Sequence, residues 1–195
     1  MSQTTGTRTR MSAAQRREQL LDVTRRIVGE HGFHAVSIEA VARRAGISRP
    51  IVYGHFDDLA GLLEAMLDRE SVRALSQLAG VLPRGALPDA RAGLLAALRG
   101  YLEAVRADPV TWRLVLMPPE GAPELLRERI TQGRAAIVAA LAEVVGPGLD
   151  SPDAELTART VSAIADEGAR LLLTDPERFP VDRLVDHAAW LLRRI

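Results

Sequence analysis

The sequence lacks cysteine and lysine altogether, and only 4% of its residues are aromatic. Without cysteine the chain has no disulfide, no thiolate zinc site and no cysteine nucleophile. No apolar run approaches the roughly 18 residues that a membrane span needs, and the polar residues 1–10 have no signal-peptide core. We therefore expect a cytoplasmic protein with no membrane partner, and we predict neither a cofactor nor a metal ion.

Because lysine is absent, all 25 basic residues are arginines, and 25 acidic residues balance them. The balance is not uniform along the chain. Residues 1–56 contain nine arginines and four acidic residues, so a net charge of +5 there is offset by −5 in the remainder. A basic head on an acidic body is typical of proteins that bind a polyanion. Chance patchiness is the alternative. In a chain without lysine, an arginine at a given position does not show that arginine is preferred to lysine there.

Apolar residues recur at helical spacing through most of the chain, and no segment alternates long enough to predict a strand. The pattern predicts an all-α protein with an N-terminal three-helix domain and a C-terminal helical bundle. Residues 1–12 are predicted to be a flexible basic arm, 13–56 the N-terminal domain and 57–195 the C-terminal domain; the functions expected of the two domains follow from the motif and the resemblance described below. The predicted helices cover 13–30, 38–45, 49–55, 59–81, 89–107, 109–116, 123–145, 154–174 and 181–194. Gly146, Pro147 and Gly148 are expected to end the seventh helix, and 82–88 and 118–121 are expected to be loops.

The informative stretch is 37–56, which reads SIEAVARRAGISRPIVYGHF. Ala42 and Ala45 are small enough for close helix approach, Gly46 permits a tight turn and Ile47 can anchor it. Ser48 is a plausible cap for a second short helix. These are the needs of a helix-turn-helix, in which the second helix lies in the major groove while the first braces it.

This stretch resembles the TetR family of bacterial regulators, and Leu20, Ile27, Gly32 and Phe33 resemble the family's first helix and its end. The resemblance implies that the third helix contacts bases, and that the Tyr and His near its end contact phosphates. The DNA-binding candidates are Ser37, Arg43, Arg44, Ser48, Arg49, Pro50, Ile51, Tyr53, Gly54 and His55. Structural alternatives stay open: Arg43 and Arg44 as solvated charges, Tyr53 as core packing, and Ile51 as either a thymine-methyl contact or a buried staple.

The sequence departs from the family at the start of the fourth helix. The family usually has a phosphate-binding lysine there, whereas this chain has Leu59 preceded by Asp57 and Asp58. One phosphate contact should therefore be missing, and the local acidity is expected to weaken DNA binding. Helix amides at that position, or Arg8, Arg10 and Arg17, are candidates to replace it.

The C-terminal body carries two expectations that come from the same resemblance. The last two helices should pair with those of a second copy, and the candidates for this dimer interface are Ile164, Gly168, Leu171, Leu184, Val185, Ala188 and Leu192; purely intramolecular packing is the alternative. A pocket for a small, largely hydrophobic effector should lie within the body. Its candidate lining residues are Met66, Arg69, Tyr101, Trp112, Leu116, Met117, Ile137, Glu167 and Arg170, each of which could equally be plain core.

The predicted function is that of a transcriptional repressor, a homodimer that leaves a palindromic operator in double-stranded DNA when the effector binds. An enzyme is a weaker alternative, because His187 is the only histidine outside the head and no convergent acid–base group is evident. A non-specific architectural DNA binder is another, although the neutral net charge argues against it. His31 and His34 are interpreted as loop and capping residues rather than metal ligands.

Overall fold

The computed structural model describes residues 11–82, 89–118 and 122–193, and these form helices without any strand. The predicted arm up to residue 10 and most of the two predicted loops lie outside the described residues. The helices are α1 (Ala13–His31), α2 (Ile38–Ala45), α3 (Arg49–Tyr53), α4 (Leu59–Val81), α5 (Ala90–Ala107), α6 (Pro109–Leu116), α7 (Glu124–Gly148), α8 (Ala154–Thr174) and α9 (Val181–Leu192), with a short 3-10 turn at Phe33–Ala35. The all-α prediction is confirmed.

The chain divides into two compact units, Met1–Met66 and Leu67–Ile195. In the first unit α1 packs against α2, and α2 packs against α3. Leu20, Val41 and Val52 are completely buried there. A capping box starts α1, because the Ser12 hydroxyl accepts from the Gln15 N–H and the Gln15 side chain accepts from the Ser12 N–H.

The corner between α2 and α3 follows from its local sequence. The Ser37 hydroxyl caps α2 by accepting a 3.0 Å hydrogen bond from the Ala40 N–H. At the other end Gly46 adopts a left-handed conformation, with φ of 68° and ψ of 34°. This conformation allows the Ile47 N–H to donate to the Ala42 carbonyl at 3.0 Å, which ends the helix and turns the chain.

In the second unit α7 packs along α8, and α5 packs against both α8 and α9. Trp112, Leu102 and Val105 are among the side chains with almost no solvent exposure. Tyr101 contacts the Trp112 ring edge-on, with a centroid separation of 5.0 Å. Asp89 and Asp153 cap α5 and α8 through bonds to Ala92 and Leu156. No helix in the described part of the chain is long and apolar enough to cross a membrane.

The predicted end of the seventh helix is wrong. The helix continues through Pro147 to Gly148, because the Leu149 N–H still bonds to the Val145 carbonyl at 3.0 Å. A proline near the end of a helix removes only one bond, and the following turn is retained. Gly148 serves close packing instead, since a Cβ there would lie 2.5 Å from the Ala90 Cβ at the start of α5.

A buried polar network joins α4 to the start of α6. The Thr111 hydroxyl lies 2.5 Å from Glu70 Oε2 and 3.1 Å from Asp108 Oδ2. Arg73 Nε donates to the same Asp108 oxygen at 2.6 Å. Burying carboxylates is costly unless donors surround them, so this network fixes how α4 and α6 meet.

The geometry at Gly46 generates a stability prediction. Gly46→Ala should lower the free energy of unfolding by about 1 kcal/mol, because a side chain is strained at positive φ although nothing lies near the added Cβ. Gly80→Ala is the matched control within α4, where open space also surrounds the Cβ; it should raise stability by roughly 0.5 kcal/mol. Urea unfolding followed by circular dichroism measures both, and equal effects would contradict the assigned corner.

Candidate nucleic-acid interface and internal cavity

The short helix α3 is anchored by one side chain and presents the others to solvent. Val52 is fully buried, whereas Ile51 and Tyr53 are 44% and 53% exposed. Arg49 and Pro50 at its start are also exposed. A helix of five residues has no stability of its own, so its packing on α2 holds it. Exposed apolar and aromatic side chains on such a helix suit contact with base edges and the sugar–phosphate backbone.

The arginines around α3 differ in how available their charges are. Arg44 pairs with Glu30 of α1, with a separation of 2.5 Å between Nη2 and Oε2. Arg43 and Arg49 are exposed and have no acidic partner among the described residues. Arg43 and Arg49 can therefore bind an anion directly, while Arg44 must first leave Glu30.

The remaining candidates near α3 play mixed roles. The Ser37 hydroxyl is already used as the cap of α2, whereas the Ser48 hydroxyl makes no capping bond although Ser48 is the N-cap of α3. The Gly54 N–H donates to the Pro50 carbonyl at 3.0 Å, so it is not available to a phosphate. His55 is half-buried just beyond the helix.

Arg17 of α1 has a role at α3 that the sequence did not reveal. Its Nη1 donates to the His55 carbonyl at 3.0 Å, and its guanidinium carbon lies 4.4 Å from the centre of the buried Phe56 ring. Arginine stacks on aromatic faces and donates several hydrogen bonds at once. Arg17 therefore holds the end of α3 rather than pointing away to a phosphate.

The start of α4 has no cation to offer a phosphate. Leu59 begins the helix, and Asp58 Oδ1 accepts from the Gly61 N–H at 2.7 Å. The carboxylate thus occupies one of the free amides that would otherwise attract an anion. This arrangement agrees with the expected loss of a phosphate contact at Leu59.

A cavity of about 450 Å³ lies within the second unit and is lined mostly by apolar side chains. Four of the nine nominated pocket residues line it: Tyr101, Trp112, Leu116 and Ile137. The structure does not bring the other five to this cavity. Met66 is buried in the first unit, and Met117 is 43% exposed. Arg69 pairs with Glu70, and Glu167 pairs with Arg170 on another face of α8.

One polar group stands in the cavity wall where α5, α7 and α8 meet. Asp166 Oδ1 accepts from the Tyr101 hydroxyl at 3.2 Å, and Asp166 Oδ2 accepts from Arg134 Nη2 at 2.8 Å. Burial raises the pKa of Tyr101 well above its usual range, and the nearby Asp166 charge raises it further. The phenol therefore stays protonated and remains a donor. The sequence contains a signal for this polar group, because Arg134, its partner, interrupts the apolar stripe Ile130, Ile137 and Leu141 of α7.

The proposed dimer residues divide into exposed and buried ones. Ile164 of α8 is 47% exposed, and Gly168, Leu171, Leu184 and Leu192 are half-buried. Val185 and Ala188 are buried within the same chain. Leu156, on the apolar stripe of α8, is 61% exposed, and sequence reasoning missed Trp190, an exposed aromatic side chain on α9. Ile164, Ala188 and Leu192 also line the cavity.

A short solvent-facing helix, braced by α2 and set behind a left-handed glycine corner, defines a helix-turn-helix DNA-binding protein. Residues 20–66 match the tetR family of bacterial regulatory proteins. Over 176 residues, which are 89% of this chain and 78% of the relative, the chain is 26% identical to the transcriptional activator FasR of Mycolicibacterium smegmatis. The family match covers residues 20–66, so this part of the chain is similar to the DNA-binding domain of TetR-type regulators, and the relative that matches most of the chain is named a transcriptional activator.

Solved structures share the fold along nearly the whole chain. A TetR-like transcriptional regulator from Rhodococcus sp. RHA1 superposes with a TM-score of 0.78 and 24% identity, covering 95% of this chain and 97% of that one. The regulator FadR of Bacillus subtilis, solved in complex with stearoyl-CoA, superposes with a TM-score of 0.68 and 15% identity, covering 90% and 96%. At these identities the likeness establishes the architecture alone.

The contact made by Arg17 generates a prediction for DNA binding. Arg17→Ala should weaken binding to DNA selected by the protein from a random pool by roughly fivefold, or about 1 kcal/mol, because the end of α3 loses its brace. Arg16→Ala is the control. It removes the same charge one residue away, but the Arg16 guanidinium bonds to Gln19 and not to the end of α3. Fluorescence anisotropy over a salt series measures both. A salt dependence reduced in Arg17→Ala but not in Arg16→Ala would instead indicate a direct phosphate contact.

Proposed function

We propose that this regulator is a homodimeric repressor that binds a palindromic operator in cytoplasmic double-stranded DNA and is released by a small, largely hydrophobic effector. Residues 13–56 contact the operator, and residues 57–195 bind the effector and the second subunit. The observation that carries the proposal is the exposed face of α3, where Arg49, Ile51 and Tyr53 stand clear of the core that Val52 anchors.

Sequence-specific binding is supported by the chemistry of that face. An exposed arginine suits guanine O6 and N7, an exposed isoleucine suits a thymine methyl group, and Tyr53 and His55 lie where phosphates pass a helix end. The free charges of Arg43 and Arg49 add attraction to any duplex. A single five-residue helix reads too few bases for useful specificity, which favours two copies about 34–36 Å apart on a palindrome.

A second subunit is supported by the apolar surface of α8 and α9. Leu156, Ile164 and Trp190 leave large apolar areas in solvent. Large apolar side chains left in solvent on both helices favour a contact with another molecule, and a symmetric dimer is the commonest form of such contact. We therefore add Leu156 and Trp190 to the proposed interface.

An effector is supported by the cavity of the second unit, whose volume lies in the range of small-molecule sites. The FadR structure was solved with stearoyl-CoA bound, and this precedent favours a largely hydrophobic ligand here. Activation is the second candidate outcome, because the relative FasR is named an activator. A reporter gene placed behind the selected operator distinguishes the two. Deleting the gene for the regulator should raise reporter expression if the protein is a repressor and lower it if the protein is an activator.

The DNA-reading role is tested by selecting a binding site from random duplexes and measuring affinity for it. Arg49→Ala should weaken binding to the selected site by about tenfold to a hundredfold and weaken random DNA much less, because a base contact carries about 1–3 kcal/mol of discrimination. Arg44→Ala should have a smaller effect because Glu30 holds its charge. Arg159→Ala on α8 is the control. Equal affinity for selected and random DNA near 150 mM salt would refute the proposal.

The dimer is tested by placing a charge on the proposed interface. Trp190→Arg should produce a monomer in analytical ultracentrifugation and weaken operator binding at least tenfold, because a charge cannot be buried unpaired between subunits. Val72→Arg is the matched control, since Val72 is an exposed apolar residue of α4. Circular dichroism verifies that both variants stay folded. A wild-type protein that sediments as a monomer would contradict the proposed assembly.

A further inference from the structure

The cavity of the second unit has a charged end and an apolar end. Along α7 its lining runs from Arg129 and Arg134 to Ile137 and Leu141. At about 1.5 Å rise per residue, Arg129 and Leu141 stand about 18 Å apart. Beyond Ile137 the lining consists of apolar side chains of the cluster that contains Leu94 and Leu141, together with Thr157 and Thr160 of α8. The cavity is therefore long, and its charged groups lie toward one end of it.

Arg129 lines the charged end and contains an unsatisfied donor. One guanidinium nitrogen, Nη2, pairs with Asp68 at 2.7 Å. Its Nε is buried and finds no acceptor among the described residues. A buried donor attached to a charged group is costly to leave unbonded. An acceptor brought by a ligand would remove that cost.

The neighbouring carboxylate, Asp166, already has two donors. Asp166 already accepts from Arg134 and from Tyr101, one donor on each oxygen. Arg134 uses a single Nη2 bond for Asp166 and is 47% exposed, so the other nitrogens of its guanidinium fork can reach a second acceptor. Arg129 and Arg134 are each paired with one carboxylate, Asp68 and Asp166, so this end offers a ligand the guanidinium N–H groups that these pairs leave unbonded. Such groups donate to an anion and have nothing to accept from a cation.

We propose that the cavity binds an amphipathic anion, with a carboxylate or phosphate head group at Arg129 and Arg134 and one extended apolar chain reaching toward Leu141. This proposal names the chemical class of the effector and so rests on the proposed function of the same cavity. At the apolar end the hydroxyls of Thr157 and Thr160 are already bonded, to Ser151 and to the Leu156 carbonyl, which favours an apolar tail there.

The head group is tested with ligands of equal chain length and different charge. Decanoate, decyl phosphate, 1-decanol and decylamine are titrated into the purified full-length protein by isothermal calorimetry. Decanoate or decyl phosphate should bind at least tenfold more tightly than 1-decanol, and decylamine should bind weakest. The better of the two anions identifies the head group. Binding of 1-decanol or decylamine as tight as that of both anions would overturn the proposal.

The tail is tested with carboxylates of increasing length. From octanoate to decanoate to dodecanoate, each buried methylene should tighten binding about fourfold, because apolar surface leaves water at the Leu141 end. Affinity that does not change with chain length would show that the tail stays outside the cavity, and it would overturn the proposed orientation.

Variants separate the two arginines from general effects on the fold. Arg129→Gln should weaken decanoate about tenfold and leave 1-decanol unchanged. Arg134→Gln is made together with Asp166→Asn, so that no carboxylate is left unpaired, and should also weaken decanoate. Arg127→Gln is the matched control, since this arginine of α7 pairs with Glu124 and does not line the cavity. An unchanged preference for the acid in Arg129→Gln would overturn the role of Arg129.

DNA binding is measured separately, so that the two proposals can fail independently. If decanoate binding depends on the two arginines but decanoate does not change the affinity for the operator, the ligand class is supported and the effector part of the proposed function is contradicted. Operator release by a neutral ligand that competes for the cavity, with no binding of either anion, supports the proposed function and contradicts the ligand class.

Discussion

The placement of α3 depends on one hydrogen bond, from the Ile47 N–H to the Ala42 carbonyl, which forms because Gly46 adopts positive φ. This bond turns the chain within two residues of the end of α2 and brings Val52 into the core. A helix too short to be stable alone thereby acquires a fixed orientation, and its exposed side chains become a defined surface rather than a fluctuating one. Arg17 secures the other end of the same helix at the His55 carbonyl.

In the second unit, buried polar groups occur where helices meet. Glu70, Thr111 and Asp108 join α4 to α6, and Asp166 joins α8 to α5 and α7. Trp112 belongs to both regions, since its ring lines the cavity while its indole N–H donates to Gln77 of α4 at 2.8 Å. A ligand in the cavity would thus contact a side chain that is itself bonded to α4.

Helices and their caps could be predicted from the sequence, because apolar spacing and residues such as Ser37, Gly46 and Asp153 act locally. The end of α7 could not, since Pro147 reads as a stop and only the fold shows a tight approach to Ala90. The pocket was half predictable. Tyr101 and Trp112 face the cavity, but Arg170 and Glu167 do not, because residue type does not reveal which face of α8 points inward. The role of Arg17 depends on a partner 38 residues away.

The chain has two tryptophans, and they stand in contrasting surroundings. Trp112 is almost completely buried beside Tyr101, whereas Trp190 is 43% exposed and stacks on His187. Emission from an indole shifts with the polarity around it, so the inner ring reports what fills the interior and the outer ring reports what covers α9. With Trp190 replaced by phenylalanine, Trp112 is the single tryptophan and its emission reports the occupancy of the interior, so no dye has to be attached to a chain that offers neither thiol nor lysine.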